Sequence, residues 1–244
     1  MRVVLAIAGV AAFAAVAVMA TSARSSPDAQ SVAAAAVPAP RVTADPASFT
    51  RVDAQVERGR VASDDRTDRR RIVVRGLRLP IDGVGLPDDP DLLPNAPRDY
   101  RGGYHEGIDF PAPPGTPVHA VADGTILRID HDFIDWDPES ERIALYQAVQ
   151  LGYTPARTLD LIRGRQVWID HGNGVVTRYA HLSTVAELAV GDHVTAGDVI
   201  GAVGSSGYPE GGPHLHLEVR IGTSYLGDGL SGDALVAAVT AAFD

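Results

Sequence analysis

The chain has 244 residues, a formal charge of −10 and an apolar fraction of 45%, enough for one large globular domain or two modest ones. The acidic balance argues against electrostatic binding of nucleic acid. There is no cysteine, and every basic side chain is arginine, which excludes disulfides, thiolate metal sites, cysteine nucleophiles, Schiff-base lysines and Walker-type phosphate loops.

In chain order, Arg2 precedes an unbroken run of apolar and small residues over 3–20, with small-residue cleavage sites near 20 and 23. Residues 1–23 are therefore expected to be an export signal, with the mature chain starting near Thr21 or Arg24. The run is also just long enough to be a membrane anchor, so membrane contact is expected only if it stays uncleaved. Either way the protein is expected to work outside the cytoplasm, secreted, periplasmic or wall-associated. Residues 24–71 are rich in Ala, Pro, Ser, Asp and Arg and include the mixed run "SDDRTDRRR", the composition of a solvated linker. Within it Phe49, Val52 and Val56 have helical spacing and allow a short helix.

The folded domain is expected over 72–225, from "RIVVRGLRLPI" onward. A loop rich in Pro and Asp follows, "DGVGLPDDPDLLPNAPRDYRGG", whose prolines deny it a strand ladder. Short strands then alternate with Gly and Asn turns. "VHAVADGTILRI" predicts two strands around Asp123-Gly124, and "RQVWIDHGNGVVTRYAHL" predicts a hairpin turning at Asn173-Gly174. "DHVTAGDVIGAVG" and "PHLHLEVRIG" continue the pattern, which is that of an antiparallel sheet or sandwich. Residues 132–165 break the rhythm as an insertion, with a helix expected over 139–151. The tail, 226–244, predicts a short helix capped by Ser231 or Asp233.

The histidines carry the chemistry. In a strand, His214 and His216 of "GPHLHLEVR" face the same way, with α-carbons roughly 6.6 Å apart. "HEGIDF" sets His105 four residues before Asp109. Gly107 and the following "PAPPGTP" argue against a helix there, so Glu106 is not assigned the general-base role it would have in a helical zincin. His181 ends the predicted hairpin in "RYAHL". A catalytic zinc takes three protein ligands and keeps a fourth position open. Five candidates for three positions leave two imidazoles to move protons, the composition that metal-assisted amide hydrolysis needs. Spacing does not say which residue has which role. His119, His131, His171 and His193 read as packing, solvent or structural hydrogen bonding. Glu218 shares a strand face with His214 and His216, and is either a support for the ligands or an exposed carboxylate. The glycines of "GSSGYPEGG" read as a turn at the groove edge.

Over about residues 77–222 the chain resembles the M23 (LytM/lysostaphin-type) zinc metallopeptidases in "HEGIDF", "PVHAVADGTI", "WIDHGNGVVTRYAHLS", "VGDHVTAGDVIGAVGSSG" and "GPHLHLEV". The resemblance implies a mainly β fold, a compact antiparallel β-sandwich with a groove across one sheet. It implies zinc (Zn2+) held by His105, Asp109 and His216, with His181 and His214 as unligated catalytic residues. The implied activity is endopeptidase cleavage in bacterial cell-wall peptidoglycan, with peptide stems or cross-bridges as partners, and a monomer is expected. The rival is a non-catalytic module that binds wall or activates other hydrolases, and the five filled positions speak against it. A biotinyl or lipoyl carrier, suggested by "VGDHVTAGDVIGAVG", fails for want of a lysine. In some members of the family an upstream asparagine fills the open metal position, and Asn95 is the only asparagine upstream of the site. The insertion, with Asp135, Trp136, Tyr146 and Tyr153, is expected to govern substrate choice and not the chemistry.

Overall fold

The computed structural model describes residues 55–57 and 71–244; the expected export signal and most of the linker lie outside the described residues. Strand β1 (Gln55–Glu57) pairs antiparallel with β2 (Arg71–Val73). Val56 is thus in a strand, not in the short helix its spacing allowed, and part of the stretch read as linker is paired. The competing force is a ladder of backbone hydrogen bonds to a distant segment, which local periodicity does not register.

The remaining strands are β3 (Ile108–Pro111), β4 (Pro117–His119), β5 (Gly124–Ile129), β6 (Val167–Asp170), β7 (Val175–Ala180) and β8 (Leu182–Val185). They are followed by β9 (His193–Val194), β10 (Val199–Val203), β11 (His214–Ile221) and β12 (Ser224–Tyr225). One sheet runs β12-β11-β7-β6-β5-β9, with β3 lying along the first half of β11; a smaller one runs β4-β10-β8. Every pairing is antiparallel. Alternation sends Ile126, Ile169, Leu215 and Leu217 of the large sheet into the same core as Val118, Leu182 and Ile200 of the small one, all fully buried. The expected antiparallel sandwich is what forms.

The β6–β7 hairpin turns where expected, with Asn173 at φ 54° and Gly174 at φ 78°, conformations that Asn and Gly tolerate best. The insertion contains two helices. The first, α1 (Pro138–Leu151), starts one residue before the expected helix. The Asp137 side chain accepts the Ser140 N–H, Pro138 fills the first turn, and Gly152 closes the helix at φ 72°. The second, α2 (Ala156–Arg163), is an addition to what the sequence predicts; its eight residues are shorter than the stretch of about 11–18 over which a helical period is read. The tail helix α3 (Gly232–Ala242) begins after Ser231 and buries Leu235, Val239 and Ala242 in the main core. The Leu77 N–H donates to Ala242 O at 2.9 Å, so the tail is part of the same fold and not an appendage. Among the described residues no helix is long and apolar enough to cross a membrane.

Candidate metal centre and its cleft

Strand register builds the centre. On one side of β11, Asp109 stands directly opposite His216; on the other, Ala180 does, and His181 follows at the end of β7. His105 is delivered by the loop before β3, where Asn95 N–H donates to His105 O and His105 N–H to Ala96 O, both at 2.8 Å. Between them Gly107 is required by a close approach: a Cβ there would meet the His216 ring at 2.8 Å.

His105 Nε2, Asp109 Oδ1 and His216 Nδ1 lie 2.8 to 3.0 Å from one another. Their outer contacts set the tautomers. His105 Nδ1–H donates to Leu93 O at 2.8 Å, and His216 Nε2–H points to Glu218 Oε1 at 3.3 Å. In these tautomers two imidazole lone pairs and a carboxylate oxygen face one point, an arrangement able to hold a shared cation. Ligands around a tetrahedral zinc, with bonds of about 2.0–2.1 Å, stand about 3.4 Å apart. The trio fits such a cation after opening by a few tenths of an ångström, and among the described residues it is a group of side chains able to hold a metal ion. Titration has the same logic. Burial alone would raise the Asp109 carboxyl, but His105 and His216 hold it well below the usual range. Burial opposes charge on His216, yet its bonds to Asp109 and Glu218 raise its pKa, while burial lowers that of His105.

His181 and His214 flank the trio without joining it. Their rings are 4.6 Å apart, and His214 Nε2 stands 3.7 Å from Asp109 Oδ1. His181 Nδ1–H donates to Ser206 O and His214 Nδ1–H to Gly212 O, each at 2.9 Å. Both therefore keep Nε2 as a free lone pair at the cleft. Burial, then His214 and His216, push the His181 pKa down to about 3, so the ring is neutral at pH 7. His181 adopts φ 60°, a strained conformation for a residue with a side chain. It is held there by its N–H to Arg163 O at 2.8 Å. The five residues that the sequence singled out thus meet around one cleft of about 500 Å³.

The cleft walls come from three places: Arg98 and Tyr100 upstream, Leu159 and Ile162 of α2, and Tyr208 of the "GSSGYPEGG" turn. Tyr100 and Tyr208 stack with centroids 4.6 Å apart. Trp136 donates to Gly207 O and Asp135 accepts the Gly207 N–H, so these two insertion residues brace that turn. Tyr146 and Tyr153 are exposed and do not line the cleft.

Asn95 is not a plug for the metal position. Its amide donates to Gly227 O and Leu230 O, and its oxygen accepts the Tyr225 hydroxyl at 2.6 Å. The upstream residue that does reach the centre is Arg98, whose Nη2 is 3.2 Å from Asp109 Oδ2. Glu218 is not an exposed strand carboxylate either; it is 1% exposed, against Arg163, Arg178, Arg220 and His216. Arg163 eluded sequence reading because nothing local marks it as a partner of the strand. Glu106 binds Arg163 and Arg220, consistent with withholding a base role. His171 bridges Asp123 O and Thr177 Oγ1, His119 bonds Gly197 O, and His131 bonds Leu188 O; His193 lies exposed near Thr125. All four have structural roles or face solvent.

A β-sandwich whose central strand gathers two histidines and an aspartate beside two free imidazoles defines a metallopeptidase-like centre. The family model "Peptidase family M23" matches residues 103–227, and the chain belongs to that family. Among curated proteins it is similar to the DD-carboxypeptidase/endopeptidase Mpg of Neisseria meningitidis, 42% identical over 117 residues, covering 48% of this chain and 20% of that protein. It is also similar to the glycyl-glycine endopeptidase ALE-1 of Staphylococcus capitis, 33% identical over 123 residues, covering 50% of this chain and 26% of that protein. The match therefore spans only about a fifth to a quarter of the length of these relatives. Among solved structures, the catalytic domain of lysostaphin from Staphylococcus simulans aligns at 30% identity and TM-score 0.35, over 51% of this chain and 74% of that one.

Proposed function

We propose that this protein is a zinc-dependent endopeptidase acting on the peptide part of bacterial cell-wall peptidoglycan, outside the cytoplasm. The observation that carries the reading is the convergence of His105 Nε2, Asp109 Oδ1 and His216 Nδ1 within 3.0 Å of one another, a group able to hold a metal ion. When bound there, zinc supplies Lewis acidity to a substrate carbonyl and to water. The chain supplies the rest. His181, neutral and held by Ser206 O, offers Nε2 as acceptor for the proton of the attacking water. His214, held by Gly212 O, sits on the same side and orients the water or, once protonated, steadies the oxyanion. The wall as substrate is supported by relatives whose names specify DD-carboxypeptidase/endopeptidase and glycyl-glycine endopeptidase activity. The test is digestion of purified wall sacculi, with released fragments identified by mass. Release that stops with a chelator and returns with zinc is expected. A zinc-loaded protein that frees nothing from any sacculus would leave the non-catalytic wall-binding module as the better reading.

A further inference from the structure

The insertion, residues 132–165, contributes no member of the candidate metal trio, and its expected role is confined to substrate choice. Its last helix ends otherwise. Arg163, the C-terminal residue of α2, buries its guanidinium beneath β11. Nε and Nη2 lie 2.6 and 2.5 Å from Glu218 Oε1, and Nη2 lies 3.0 Å from Glu106 Oε2. The same Oε1 faces His216 Nε2 at 3.3 Å. The other oxygen of Glu218 has only longer contacts, 3.4 Å to Arg178 and 3.5 Å to Arg220. Arg163 is therefore the group that holds the carboxylate on the side where His216 needs it. Without it, Arg178 and Arg220 draw the carboxylate toward themselves, and the His216 ring loses the acceptor that fixes its tautomer.

We propose that Arg163 is a positioning residue of the metal centre: it clamps Glu218 so that Glu218 keeps His216 Nδ1 facing Asp109 and His105. This rests on the metallopeptidase reading above. It makes the end of the insertion part of the catalytic scaffold, not a removable wall. A second contact points the same way, since the main-chain oxygen of Arg163 accepts the His181 N–H at 2.8 Å. That contact survives any side-chain substitution, so a variant reads the side chain alone.

The experiment measures zinc affinity of the full chain by competition with a chromophoric chelator, beside thermal unfolding of the metal-free form. Arg163→Ala should weaken zinc binding about 10–100-fold. Glu218→Ala should do the same, and the double variant should be no weaker than Glu218→Ala alone, because both act through one link. Arg128→Ala is the control: it cuts the ion pair to Asp160 of the same helix, and should lower the unfolding temperature without changing zinc affinity. If Arg163→Ala does not fold, Arg163→Lys carries the test, since lysine keeps a charge but not the planar fork; a loss above twofold supports the clamp. An affinity within twofold of the wild type, in a wild type that binds zinc, overturns the clamp alone. A wild-type chain that takes up no zinc overturns the zinc reading and the clamp with it.

Discussion

At the residue scale, the two histidines of "HLH" point to one face of β11 yet differ in what each ring nitrogen meets. His216 turns Nδ1 to Asp109 and His105 and gives Nε2–H to Glu218, whereas His214 gives Nδ1–H to Gly212 O and leaves Nε2 free. His216→Ala should therefore lose metal and turnover together, because two remaining ligands seldom hold a catalytic zinc. His181→Ala and His214→Ala should keep most of the metal and lose about 10²–10⁴-fold in rate. Since both imidazoles face the same cleft, the double variant should fall short of the product of the two losses. Metal analysis beside wall-hydrolysis rates decides this. A metal-free His214→Ala and a metal-loaded His216→Ala would reverse the roles.

At the element scale, α1 stores a pH dependence. Glu141 is buried near the first turn with Oε1 lacking a hydrogen-bond partner. Burial, then Glu210 and Asp135, push its carboxyl up from 4.5 to about 7. The folded state thus keeps a proton that the unfolded chain has already released. The contribution of this group to stability is greatest below pH 4.5 and declines as the pH rises to about 7, levelling off above that. Glu141→Gln mimics the protonated form, so it should raise the unfolding temperature at pH 8 and change it little at pH 5. A gain of equal size at both pH values would show that Glu141 is not the titrating group. The same helix shows what local sequence reveals: Asp137, Pro138 and Gly152 mark its ends in the chain itself, whereas the shorter α2 has no such punctuation before it, only Pro155 without a side-chain cap.

At the scale of the whole molecule, α3 closes the core from the far end of the chain. Leu235, Val239 and Ala242 repeat at helical spacing and pack into the cluster that both sheets share, and Phe243 meets Phe110 edge-on at 6.5 Å. Leu235→Ala should cost about 2–4 kcal/mol of stability, read as a lowered midpoint in denaturant. A tail that served only as an appendage would leave the midpoint unmoved.

The strand alternation, the Asn173-Gly174 turn and the shared face of His214 and His216 were legible in the sequence because each depends on near neighbours, whereas the roles of the five cleft residues came from the family resemblance. Period-2 burial follows from the pleat, the turn from the φ values that Asn and Gly accept, and the pairing of His214 with His216 from strand geometry. What the tertiary structure alone decided depends on distant partners. Arg163 and Glu218 are 55 residues apart, so no local pattern makes that glutamate buried or gives it a guanidinium. Asn95 is the asparagine that the sequence places upstream of the site, but its amide is committed to Gly227 and Leu230, more than 130 residues on. His216 turns Nδ1 toward Asp109 and Nε2 toward Glu218, an orientation fixed by packing once β3, β7 and β11 are side by side.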